Sequence, residues 1–169
     1  NFNGWSSESA VVELKNGSLR FFFRNGNYTL RYVDYSFDSG WGNVQDTGIY
    51  TNSNTQISAI TYSKTSDDGQ QVILVSCPAS SYATGSNSSS ASERTNGRIF
   101  VFTDNGSAMT RVNTIEVNNG NFMYSCLTER GDGSVAILYE AAENYAMDMK
   151  VYTEAQLLPS SGGNVGGDE

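Results

Sequence analysis

Short apolar runs divided by turn dipeptides constrain this chain more than any other feature of it. Val11 to Leu14 leads through Asn16-Gly17 into Leu19 to Arg24, and Asn-Gly supplies the positive φ angles that a tight hairpin turn needs. Tyr28 to Tyr35 alternates and runs into Ser36-Phe37-Asp38-Ser39-Gly40, a turn to which Asp34 and Asp38 are both assigned. Ile57 to Ser63 and Gln71 to Cys77 flank Asp67-Asp68-Gly69. Arg98 to Phe102, Arg111 to Val117, Phe122 to Glu129, Ser134 to Glu140 and Met147 to Tyr152 continue the series. Such spacing predicts an all-β chain with few helices. Four-stranded units repeating every 40 residues or so are what a β-propeller would give.

Composition narrows the chemistry. The chain has 169 residues, enough for one domain with a sizeable core. It contains no histidine, which removes Ser-His-Asp and Cys-His catalysis together with His-based metal sites; no metal and no cofactor is expected. A net charge of -8 with scattered Lys and Arg argues against nucleic acid, whose phosphates need clustered cations. No apolar run approaches the roughly 20 residues of a membrane-spanning helix, and no signal peptide is evident. The two cysteines, Cys77 and Cys126, sit in hydrophobic strand-like runs and are expected to behave as small buried apolar residues. Ala79 to Glu93 is dense in Ser, Gly and Asn and reads as a loop; residues 154–169 read as a linker-like tail after a folded 1–153.

Several segments carry a family signal, in order along the chain. They are Ser7-Glu8-Ser9-Ala10-Val11-Val12-Glu13-Leu14 with Phe23-Arg24 after it, the Ser36 to Gly40 turn, Arg94-Thr95-Asn96-Gly97-Arg98-Ile99, and Met123-Tyr124-Ser125-Cys126-Leu127-Thr128-Glu129 followed by Ser134 to Glu140. Together they resemble the C-terminal half of a bacterial sialidase catalytic domain, with Ser36 to Gly40 similar to an Asp box, although Trp41-Gly42 departs from its usual ending. The resemblance implies a six-bladed β-propeller, of which this chain would supply roughly the C-terminal half. It further implies an exo-alpha-sialidase that acts on sialylated glycans, glycoproteins or glycolipids, and a secreted or cell-surface location.

Carried over residue by residue, the resemblance makes Tyr124 the nucleophile and Glu8 its base. Arg24, sixteen positions after Glu8, and Arg94 match the second and third members of an arginine cluster around the sugar acid. Glu140 matches the carboxylate that steadies the first arginine. That first arginine and the general acid/base aspartate would lie upstream, so the site is expected to be incomplete here; Arg20 and Arg31 sit outside any matching motif. The N-terminal half of the same domain is the implied partner.

These residue types suit the chemistry. A sialic acid carries its carboxylate on the anomeric carbon, so an Asp or Glu nucleophile would approach against like charge, whereas a neutral phenol would not. Sialidases with a tyrosine nucleophile accordingly stand outside the two-carboxylate scheme of most glycosidases. A phenol of pKa near 10 needs an adjacent base. The sugar carboxylate in turn suits the planar guanidinium fork, which offers two parallel hydrogen bonds.

Plainer readings stand beside these. Tyr124 is one of ten tyrosines and could pack a sheet, Arg24 could cap a hairpin, and Glu140 could end a strand. A non-catalytic sialic acid-binding propeller, and an intramolecular trans-sialidase that passes the sugar to an internal hydroxyl, share the same residues. Half a propeller would also expose two sheet faces that a closed ring keeps dry.

Overall fold

Val72-Ile73-Leu74-Val75 is apolar without alternation, the mark of a strand covered on both faces. The computed structural model, which describes residues 6–25, 29–51, 56–79, 94–141 and 146–159, places that run at the centre of three stacked antiparallel sheets. The first sheet holds β1 (Ser6–Glu13), β2 (Leu19–Asn25), β3 (Thr29–Ser36), β4 (Gly40–Trp41) and β5 (Gln45–Tyr50). The middle sheet orders β6 (Ser58–Thr65), β7 (Gln71–Pro78), β8 (Thr95–Asp104) and β9 (Met109–Asn121). The third orders β10 (Ser125–Glu129), β11 (Val135–Glu140) and β12 (Met147–Tyr152).

One face of β7, with Ile73, Val75 and Cys77, packs with Phe100 and Phe102 against Val12, Phe22 and Leu30 of the first sheet. The opposite face, Val72 and Leu74 with Ile99 and Val101, packs against Leu127, Val135, Ile137 and Tyr139 of the third. Each such side chain contributes about 1.5–3 kcal/mol when fully buried, so the middle sheet holds the stack together. Burial pushes the Cys77 thiol up to about 12, which leaves it neutral and inert. Cys126 differs from the sequence expectation: it lies on the outward face of β10 and is exposed, because no sheet among the described residues covers that side.

Arg20 is a further departure. It bonds Asp34 through Nε and Nη2, each at 2.7 Å, and donates from Nη1 to Asp104 on the middle sheet. Tyr32 lies under its guanidinium, 4.5 Å from ring centroid to Cζ. Burial alone would lower the Arg20 pKa, but the hydrogen bonds and charges of the two carboxylates outweigh it and hold it above its ordinary value. Asp34 is therefore a strand residue paired across β2 and β3, not part of the turn. The turn itself is closed by the Ser36 hydroxyl, which accepts the N–H groups of Asp38 and Ser39.

The tail also begins later than its composition suggests. Glu154–Leu157 forms one helical turn (α1) with a Thr153–Gln156 capping box, and Leu157 is fully buried in the core. Residues 160–169, and the loop residues 80–93, lie outside the described residues. No helix among the described residues is long and apolar enough to cross a membrane.

Among the described residues the stack ends on two open faces. On the first sheet Phe37 is 73% exposed, and it meets Tyr35 edge-on while Tyr35 meets Trp41. On the third, Leu138 pairs with Met149, and with Met147 and Val151 these form an exposed apolar stripe. Contiguous apolar surface of this kind associates. Residues 1–169 alone are expected to scatter light as more than a monomer at micromolar concentration, and Leu138→Lys with Met149→Lys should reduce the apparent mass. A strictly monomeric wild-type chain would count against the reading of these faces as sticky.

Candidate active site

The first strands of the three sheets run the same way. Gln71, across from Thr65 at the end of β6, accepts at 2.8 Å from the N–H of Lys15, just past β1, and donates at 3.0 Å to the carbonyl of Glu13, its last residue. Ser58, at the start of β6, accepts Leu127 N–H at 3.0 Å, and Ser63, further along, donates from its N–H to Glu129 at 2.9 Å. β1, β6 and β10 are thus parallel across the sheets although each sheet is antiparallel within itself. Their starting ends share one rim, to which the ends of β2, β7 and β11 and the start of β8 return through the hairpins. Glu8, Arg24, Arg94, Tyr124 and Glu140 all stand on that rim.

Two pairs form within it. Arg24 Nε lies 3.3 Å from Glu8 Oε2, with the arginine side chain largely buried and the carboxylate half-exposed. Across the rim, the Arg94 guanidinium sits over the Tyr124 ring, 5.4 Å from centroid to Cζ, within the range of a cation–π contact. The Arg94 Nε is buried, and among the described residues it has no hydrogen-bond partner. A buried guanidinium N–H left unpaired is costly, and an anion placed at the head of this side chain would lower that cost. Tyr124 is 37% exposed, so its hydroxyl can meet a ligand from solvent.

Backbone bonds hold Tyr124 from both sides. Glu140 N–H donates to the Tyr124 carbonyl at 2.9 Å, and Met123 N–H donates to the Glu140 carbonyl at 3.1 Å. Glu140 therefore acts here through its main chain, with a half-buried carboxylate beside it. Arg94 is tied to the same place, since Phe122 N–H donates to the Arg94 carbonyl at 2.7 Å. The sequence reading singled out Arg94 and Tyr124 separately and gave Phe122 no role. The signal that could have found it was the Asn96-Gly97 pair: Asn96 has φ 58°, a left-handed conformation that asparagine tolerates better than most residues, and Gly97 leaves the room that the Phe122 ring fills.

No protein-family model matches the chain. The chain is 28% identical to the anhydrosialidase of the leech Macrobdella decora over 95% of its own length and 23% of that protein's. Its fold is similar to the intramolecular trans-sialidase of Ruminococcus gnavus, with a TM-score of 0.69 and 26% identity over 93% of this chain and 34% of that one. It is likewise similar to NanB sialidase of Streptococcus pneumoniae, with a TM-score of 0.72 and 25% identity over 88% and 23% of the two chains. The chain spans about a quarter to a third of the length of these proteins.

Proposed function

We propose that this chain, related to the sialidases and built as part of a sialidase-type β-propeller, carries part of the active site of an enzyme that releases terminal sialic acid from glycoconjugates. The observation that supports it best is the buried Nε of Arg94, without a hydrogen-bond partner among the described residues, beside the exposed Tyr124 ring: a cation next to a phenol, on a rim that also carries Glu8 and Arg24. In this reading Arg24 and Arg94 hold the sugar carboxylate. The Tyr124 oxygen forms a bond to the anomeric carbon as the bond from that carbon to the aglycone oxygen breaks, and the phenolic proton passes to Glu8. An upstream aspartate protonates the departing oxygen and then takes a proton from water, which hydrolyses the tyrosyl-sugar bond with net retention while Glu8 returns its proton to the tyrosine oxygen. The Glu140 carboxylate would steady the first arginine of the cluster, which lies upstream in this reading.

Arg24 beside Glu8 fits this sequence of events. The guanidinium contact fixes the carboxylate that is to take the proton of the tyrosine hydroxyl.

A second reading keeps every residue and changes the acceptor. Two of the similar proteins carry names that denote an intramolecular trans-sialidase and an anhydrosialidase, and an internal hydroxyl of the sugar that outcompetes water would give an anhydro sugar in place of free sialic acid. Product analysis by mass spectrometry decides between them, because the two products differ by one water. Absence of both products from a complete propeller containing these residues would leave a sialic acid-binding module as the surviving account.

Arg94→Lys tests the carboxylate clamp. A point charge cannot reproduce the two-pronged fork, so affinity for free sialic acid is expected to fall tenfold or more, about 1.4 kcal/mol, by calorimetric titration. An unchanged dissociation constant would place Arg94 outside the pocket.

A further inference from the structure

A Cβ built on Gly97 would lie 2.0 Å from Cδ2 and 2.1 Å from Cγ of Phe122, separations that no pair of carbons tolerates. The glycine is a notch, and the ring fills it. Phe122 is fully buried and stacks on Tyr139 with centroids 5.0 Å apart and planes inclined by 28°. Tyr139 is itself anchored, its hydroxyl donating to Asp148 at 2.8 Å, and the next residue, Glu140, bonds the Tyr124 main chain. A continuous line of contact therefore runs from the strand that follows Arg94, through Gly97, Phe122 and Tyr139, to the backbone of Tyr124.

We propose that Phe122 is a positioning residue, its ring locked in the Gly97 notch and its N–H bonded to the Arg94 carbonyl, which together set the guanidinium of Arg94 over the ring of Tyr124. The proposal rests on the sialidase reading of that pair. One residue lies between Phe122 and Tyr124 at the entry to β10, and two lie between Arg94 and Gly97 at the start of β8, so the backbone of neither functional residue can shift far without moving the notch or the ring. Phe122 does not touch the sugar. Its effect passes through Arg94, and misplacement by as little as an ångström at a reacting centre is costly.

The test uses the complete propeller and compares wild type, Phe122→Leu, Arg94→Lys and the double variant, with affinity for free sialic acid as the readout. Phe122→Leu is expected to weaken binding about tenfold, and in the Arg94→Lys background to add less than about twofold, because a residue that acts through Arg94 has nothing left to position. Phe122→Met, whose unbranched, flexible side chain adapts to irregular space, should show the same pattern and serves if the leucine variant does not fold. Phe102→Leu, in the core between the other two sheets, should lower the melting temperature comparably and leave affinity unchanged. Multiplicative losses in the double variant, or unchanged affinity on altering Phe122, would overturn the proposal while leaving the sialidase reading intact. Wild type that binds no sialic acid would overturn both.

Discussion

Replacing Tyr124 with phenylalanine is expected to remove nearly all release of sialic acid from a complete propeller containing this chain, by about a thousandfold or more in kcat, while sugar affinity stays close to wild type. The ring and its contact with the Arg94 guanidinium remain, and the Phe122 to Tyr139 line that holds the backbone is untouched. Only the nucleophilic oxygen is lost. Turnover of a fluorogenic sialoside measures the first quantity, and calorimetric titration with free sialic acid the second. A variant with wild-type turnover would remove Tyr124 from the chemistry; one that lost binding and turnover together would make the residue a binding group.

The second large effect concerns stability and lies away from the rim. Arg20→Met is expected to cost about 3–5 kcal/mol, since it leaves the Asp104 carboxylate, with a side chain 3% exposed, without its counter-charge. Asp104 would retain the Gly106 N–H at 2.8 Å, but one neutral donor does not replace a guanidinium. For a domain of this size the melting temperature should drop by roughly 10 °C. Arg130→Met removes an ion pair of which both members are more than half exposed and is expected to change stability by less than about 0.5 kcal/mol. Thermal melts of the two variants side by side separate the buried network from the surface pair; equal, small shifts would mean that solvent reaches Asp104.

The Arg20 network also explains why sequence reading passed over it. Its members are 14 and 84 residues apart in sequence, and nothing in the neighbourhood of Asp104 distinguishes it from any aspartate before an Asn-Gly turn. Hairpins, in contrast, were legible because a turn is a local event: Asn16-Gly17 carries its own conformational preference, and Gly17 adopts φ 82° as the turn demands. The unbroken apolar run of β7 was equally legible as a strand, but not the fact that its two faces serve two different cores. β4 and β5 escaped notice because β4 is only two residues long and Gln45-Asp46-Thr47-Gly48 opens β5 with no alternation of apolar and polar residues, and both pair with β3 through its backbone. The Thr153 to Gln156 capping box was present in the sequence and could have placed the start of the tail a few residues later.

The candidate site divides along the same line. Residue types and their order along the chain determined by themselves the sialidase resemblance and the naming of Glu8, Arg24, Arg94, Tyr124 and Glu140, because a phenol, a carboxylate and guanidinium groups have chemistry that does not depend on the fold. Which of them meet was decided by tertiary structure alone. Glu8 reaches Arg24 because antiparallel pairing returns the end of β2 to the start of β1, and Arg94 reaches Tyr124 because the Phe122 ring, from further along the chain, fits Gly97, which has no side chain. Local preferences act over a few residues and so can be read from them; burial and close contact depend on what the rest of the chain brings alongside, and only the folded sheets supply that.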